Sequence, residues 1–189
     1  MHIITRLLLL AGLCLSSAQG FAQEAPMFGG GARTADQQAT DRAYVEEALK
    51  HGTADDAAGE LVTESWYAID DGDLDTAMFR LNRAWLLQPD RPDIHWGFAI
   101  VSHLLGAPIE EVEKHFATAE ASKAGDADFQ ASHGRVLFDH EKFREATLFF
   151  MKALQIDPEN KTAHMGMWYS AEALGDAATA EKHRKLYEE

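Results

Sequence analysis

The sequence predicts an all-α chain, an α-solenoid of about four helix pairs behind an N-terminal capping helix. Three observations predict it. Apolar residues recur at helical spacing in short segments, separated by turns such as Asp71-Gly72-Asp73, Gly106-Ala107-Pro108 and Gly175-Asp176. Pro89 and Pro158 lie 69 residues apart, as do His95 and His164, and the phrase His95-Trp96-Gly97-Phe98 returns as His164-Met165-Gly166-Met167. One extra residue placed in the Gly106-Ala107-Pro108 turn aligns four columns of small or large apolar residues.

Taken in order, residues 1–22 have a short basic start (His2, Arg6), an apolar run from Leu7 to Leu15 and a small-residue end. That is a secretory signal peptide pattern, with cleavage expected after Ala22 or, as runner-up, after Gly20. The apolar run falls short of the ~20 residues a membrane helix needs. Cys14 raises lipidation, but it lies inside the apolar run and follows Leu13, so it is read as a Cys discarded with the signal. Residues 23–35, with Pro26 and Gly29-Gly30-Gly31, are read as a flexible leader.

Residues 36–52 are a helix stopped by Gly52, with Ala39, Ala43, Leu49 and Tyr44 on one side, and are read as the cap on the array. The array occupies residues 53–189. Thr53 or Asp55 caps a helix that runs to Asp70, and a second runs over 74–87 to Gln88-Pro89-Asp90. Pro92 opens the third helix, where its missing N–H costs nothing, and it runs to Leu105. The fourth covers 109–122, and helices at 127–139, 143–156, 161–174 and 177–187 complete four pairs.

The columns have a packing logic. Two helices joined by a tight turn approach closely where small residues meet. Ser65, Ala99, Gly134 and Trp168 form one such column, and Ala77, Val112, Ala146 and Ala180 another. Leu81, Phe116, Phe150 and Arg184 form the large column that wedges against the next pair, and Ala84, Ala119, Ala153 and Tyr187 the fourth. The last pair departs most, with Trp168 at a small position and Arg184 at a large one.

Residues 127–160 are the most regular unit. Gly134 sits mid-helix, Ala146, Phe150 and Ala153 share one face, and Pro158 closes the unit. This resembles the tetratricopeptide repeat, two helices in roughly 34 residues with a Gly, a later A-x3-F and a closing Pro. The resemblance implies a right-handed solenoid that binds proteins without catalysing a reaction. The phrase Arg80-Leu81-Asn82-Arg83-Ala84-Trp85-Leu86-Leu87-Gln88-Pro89 looks like small exported bacterial repeat proteins.

In that family the first helices of successive pairs line a concave groove for peptides or protein segments. The resemblance places Val62, Trp66, Ile69 and Asp70 there, then Trp96, Ile100 and His103. Arg135, Phe138 and Asp139 follow, and Met165 and Tyr169 complete the set. Trp66, Trp96, Phe138 and Tyr169 serve either as anchors for a bound segment or as packing between adjacent first helices. The carboxylate clamp of chaperone-binding members needs Lys and Asn where this chain has Val62, Trp66, Trp96, Ile100, Ala131 and Met165, so recognition of that kind is not expected. Gly97 and Gly166 recur inside helices at a cost of roughly 1 kcal/mol each relative to Ala. Either a neighbour packs closely there or a bound chain does, and close packing is the reading taken.

Composition sets outer limits. The 189 residues carry a net charge of −14, which becomes −15 once Arg6 leaves with the signal. Such a surface repels phosphate backbones and anionic lipid, so neither nucleic-acid binding nor membrane insertion after signal removal is expected. The single Cys lies in the signal, so disulfides and zinc–cysteine sites are not expected. The nine His include His133 and His140, and His95 and His103, at spacings that allow a shared helix face. None resembles H-E-x-x-H, and no cofactor or metal is expected. The expectation is an exported, periplasmic scaffold or adaptor, with secretion as the alternative address. A self-assembling structural subunit, hence a homo-oligomer, is the alternative function, and a His-dependent metal-binding protein or enzyme stands behind it.

Overall fold

The computed structural model describes residues 25–189; the expected signal segment, residues 1–22, lies outside the described residues. Among the described residues there are nine α-helices and no strand. They are α1 (Ala35–Ala48), α2 (Ala54–Asp70), α3 (Leu74–Leu87), α4 (Pro92–Leu104), α5 (Ile109–Lys123), α6 (Ala127–Asp139), α7 (Phe143–Ile156), α8 (Lys161–Leu174) and α9 (Ala177–Glu188). None is long and apolar enough to cross a membrane. The chain divides into two compact units at Pro89, the first carrying α1–α3 and the second α4–α9.

Side chains at the helix starts explain where the helices begin. Thr53, Asp73, Asp126, Asn160 and Asp176 each accept a hydrogen bond from a backbone N–H of the first turn, satisfying donors a helix leaves orphaned. The turn inside each pair needs one left-handed residue. Gly72, Gly106 and Gly175 supply it at φ of 75°, 80° and 78°, whereas the third pair uses Glu141 at 59°.

In the first unit α2 and α3 form a hairpin, with Ala58, Ala68, Ala77, Leu81 and Ala84 buried. Helix α1 differs from expectation. Ala39, Ala43 and Leu49 are exposed, and no residue of the helix is fully buried. Its inward side carries Asp41, Tyr44, Val45 and Ala48, and Tyr44 meets α3 by lying under the Arg83 guanidinium at 4.3 Å. Tyr44 is the one residue of the expected face that turns inward, and its contact is a cation–π pair. The leader is shaped as well. Pro26–Gly30 makes a 3-10 turn, and buried Asn82 holds it at two points. The Phe28 N–H donates to Asn82 Oδ1 at 3.2 Å, and Asn82 Nδ2 donates to the Ala25 carbonyl at 3.0 Å.

In the second unit three hairpins follow one another, α4/α5, α6/α7 and α8/α9. Their first helices are successive neighbours, α4 touching α6 and α6 touching α8, while α7 packs on α8. Two core clusters fill the joints. One gathers Ala99, Val112, Phe116, Ala119, Phe129 and Val136. The other gathers Ala131, Leu137, Ala146, Phe150, Ala153, Ala163 and Met167. The aligned columns are the core. Ala99, Val112, Phe116 and Ala119, with Ala146, Phe150 and Ala153, are all fully buried. The last pair opens out, as its sequence implies: Arg184 turns to Glu181 and Glu188 at 2.9 Å each, and Tyr187 is 38% exposed.

Candidate functional site

The site is built on the first helices of the last two pairs, α6 and α8. In an antiparallel hairpin stack one side of each first helix packs on its own partner. The opposite side stays available, and residues one turn apart align along it. On α6 that side carries Arg135, Phe138 and Asp139, and on α8 Met165 and Tyr169. The structure brings all five together around one cavity of about 240 Å³. Thr162, Gly166 and an edge of the buried Phe150 ring complete its wall. At roughly 30 Å³ per water this is space for about eight waters, or one large side chain.

The cavity is apolar inside and charged at its mouth. Phe138 and Tyr169 face each other with ring centroids 6.5 Å apart, and Tyr169 is 41% exposed. At the rim, Arg135 donates through Nε to both carboxylate oxygens of Asp139 at 3.2 Å. Asp139 also meets His103 of α4, its Oδ2 lying 3.1 Å from His103 Nε2. Asp139 therefore ties α6 to α4 and holds the arginine by one edge. Six of the expected groove residues, His103 included, share this neighbourhood.

The rest do not. Trp96 packs edge-on against Phe129 at 5.7 Å, and with Ile100 it belongs to the margin of a core cluster. Adjacent first helices need large side chains between them, and Trp96 fills that gap. In the first unit, Val62 is buried, 6% exposed, and offers no surface to a ligand. Trp66 and Ile69 are half-buried and Asp70 is exposed. Gly166 has its explanation in packing: the Phe150 ring lies directly over it, leaving no room for a Cβ.

The histidines pair differently from their sequence spacing. His95 meets His115 of α5 rather than His103, and His103 lies against His140 with centroids 5.3 Å apart. His164 meets His183 of α9. His133 is stacked between Phe116, at 4.1 Å and nearly parallel, and Phe149 at 3.9 Å. Burial, with Lys152 and Lys142 adding, pushes the His133 imidazole down to about 4. Burial, with His95 and Lys114 adding, does the same to His115. Sequence reading missed the cross-hairpin partners. The repeat register could have found them, because His115 and His183 are aligned just as His95 and His164 are.

Comparison with known proteins follows the same line. The structure is similar to that of pilF from Pseudomonas aeruginosa, with a TM-score of 0.63 and 21% identity over 70% of this chain and 62% of that one. It is similar to MamA in its crystal structure, with a TM-score of 0.59 and 20% identity over 78% of this chain and 84% of that one. Against MamA from Desulfovibrio magneticus RS-1 the TM-score is 0.58 and the identity 17%, over 79% of this chain and 92% of that one. The fold is that of the tetratricopeptide repeats. The chain spans less than two thirds of the length of the pilF chain it matches. No family model matches it, and no curated protein does. At these identities the tetratricopeptide likeness carries the architecture, and function has to be argued from the site.

Proposed function

We propose that this chain is a non-catalytic scaffold that binds a peptide or protein segment, anchoring one large apolar side chain of the partner between α6 and α8. The observation that carries the reading is the cavity under Phe138, Met165 and Tyr169, rimmed by the Arg135–Asp139 pair. Apolar walls supply the favourable burial. The charged rim fixes the orientation of the backbone or of a neighbouring polar group. Export to the periplasm, proposed from residues 1–22, would present this surface to envelope proteins.

The test is selection of peptides from a random library on the immobilised chain of residues 23–189. Enriched peptides are then measured against Met165→Trp, which fills the cavity from its own wall. Binding should fall at least tenfold while the helical circular-dichroism signal stays unchanged. Peptides that bind Met165→Trp as tightly as the unaltered chain would rule this cavity out.

A further inference from the structure

Two histidine pairs occupy equivalent places in alternate helix pairs. His95 on α4 and His115 on α5 bring their Nδ1 atoms to 3.3 Å, and His164 on α8 and His183 on α9 bring theirs to 2.9 Å. His95, His164 and His183 are 6–7% exposed. In the intervening hairpin the same two positions hold Gln130 and Phe149, so the stacking geometry does not itself require imidazoles.

The protonation of the second pair follows from its partners. His164 Nε2 lies 2.9 Å from the Pro158 carbonyl, which can only accept, so Nε2 carries the proton. In the neutral ring Nδ1 of His164 is then a bare acceptor, and His183 Nδ1–H donates to it. One shared proton ties α8 to α9. A proton added at His183 Nε2 leaves that bond in place. A proton added at His164 Nδ1 sets two N–H groups face to face and removes it.

Burial and the neighbouring cations oppose an added charge at His183 and at His115. The ionisable groups acting on His183 are His164 and Lys182, and neither is a carboxylate. Lys161, at the start of α8, is held by the Leu186 and Tyr187 carbonyls of α9. From α6, Asp128 is engaged by the Asn160 amide at 2.8 Å. From α7 the packing surface is apolar, with Phe150 and Ala153 against Ala163 and Met167. Around the first pair, the ionisable groups acting on His115 are His95 and Lys114, and Phe98 closes on both rings.

We infer that the two cross-hairpin histidine pairs are acid-released latches, which hold α4 to α5 and α8 to α9 at neutral pH and let these hairpins open as the second ring of each pair takes up a proton. Because α8 carries Met165 and Tyr169, opening the second latch dismantles one wall of the cavity. That consequence rests on the binding reading above. The latch itself does not, and it can be read without any ligand.

The experiment is amide hydrogen exchange on residues 23–189 at pH 7.5 and 5.0, corrected for intrinsic exchange. It compares the unaltered chain with the double variant His164→Gln, His183→Phe, which installs the residues of the intervening hairpin. Exchange in α8 and α9 should rise about tenfold or more in acid for the unaltered chain, and the rise should vanish in the variant while α2 and α3, which hold no histidine, serve as reference. No rise in the unaltered chain, or the same rise in a folded variant, overturns the latch. If the variant does not fold, nitrogen-15 ring spectra of the unaltered chain decide. Protons on His164 Nε2 and His183 Nδ1 at neutral pH, with stepwise coupled titration, support it. Two independent titrations near 6.5 overturn it.

Discussion

The Phe150 ring lies against Gly166 of the next helix pair with its Cε1–Cζ–Cε2 end and against Gly134 of its own pair along its Cδ1–Cε1 edge. A Cβ at Gly134 would stand 2.8 Å from Phe150 Cδ1, and one at Gly166 would fall inside the ring's van der Waals surface. Phe150 is fully buried. Two glycines thus make the slot, and one aromatic fills it.

Gly166→Ala sets two effects against each other. Alanine gains about 1 kcal/mol of helix propensity, but forcing a methyl into a closed slot costs on the order of 1–3 kcal/mol or more. A Cβ at Gly166 would stand 2.2 Å from Phe150 Cζ, so the clash wins. The thermal midpoint should fall by up to about 8 °C, taking 2–4 °C per kcal/mol for a chain of this size. In a Phe150→Leu background the same substitution should cost less than the sum of the single changes. Simple additivity in that cycle would mean that the ring is not the obstacle.

Phe150→Ala on its own should cost on the order of 3–5 kcal/mol by emptying the joint between the last two pairs. Phe116→Ala should act alike, since Phe116 is equally buried and packs on Phe129 and Val136. Urea unfolding of both variants measures this. A cost below about 1 kcal/mol at either would mean that the columns do not form the wedge.

Much of this was legible in the sequence because repetition turns one weak pattern into several aligned ones. Small columns, large columns and turn glycines are forced by helix-pair geometry, so register alone located Ala99, Phe116, Phe150 and their neighbours. The polar end of the array was legible too, since Arg184 stands where its equivalents are buried. Side-chain choices between alternatives of equal chemistry were not legible. Trp96 and Tyr169 are both aromatics at groove positions. Only the depth of α6 beside α4 puts Trp96 onto Phe129, while Tyr169 keeps an open side. Asn82 reads as one more polar residue on a helix, and its hold on the leader depends on contacts more than fifty residues away in sequence.

The third hairpin turn carries a removable strain. Glu141 adopts the left-handed conformation that Gly72, Gly106 and Gly175 hold in the other three pairs. That conformation costs a side chain roughly 1–2 kcal/mol. Glu141→Gly recovers this at an expense of ~0.4–1 kcal/mol in unfolded-chain entropy. The net expectation is a gain of about 0.5–1 kcal/mol and a midpoint higher by roughly 1–4 °C. A lower midpoint would show that the Glu141 side chain contributes something the backbone does not reveal.

Stability should depend on pH through histidines held neutral by burial. His115 and His133 are lowered from 6.5 to about 4 in the folded chain. The unfolded chain therefore binds protons that the folded chain refuses. Stability is fully present above about 6.5 and is lost progressively as pH falls towards 4. Carboxylates held low by hydrogen bonds, such as Asp73 by Thr76 and Asp176 by Thr179, add their own loss only at the acid end of that window, as pH nears the ordinary carboxylate value of 3.8. His133→Leu should flatten the slope of midpoint against pH between 6.5 and 4. An unchanged slope in that variant would remove His133 from the acid response.

The two aromatics that separate core from groove can be told apart by pairing a stability measurement with a binding one. Trp96→Ala removes packing against Phe129 and the margin of a buried cluster, and should cost about 3–5 kcal/mol. Tyr169→Ala removes a 41% exposed ring whose main intramolecular partner is Trp168, stacked at 4.5 Å. That contact is worth about 0.5–1.5 kcal/mol, so the fold survives. Library-selected peptides should nevertheless lose Tyr169→Ala as a target, because the cavity has lost one wall and the ring that faces Phe138. Trp96→Ala, measured where it remains folded, should keep them. The reverse pattern, with peptides following Trp96 and indifferent to Tyr169, would move the binding surface from the α6–α8 cavity to the face of α4.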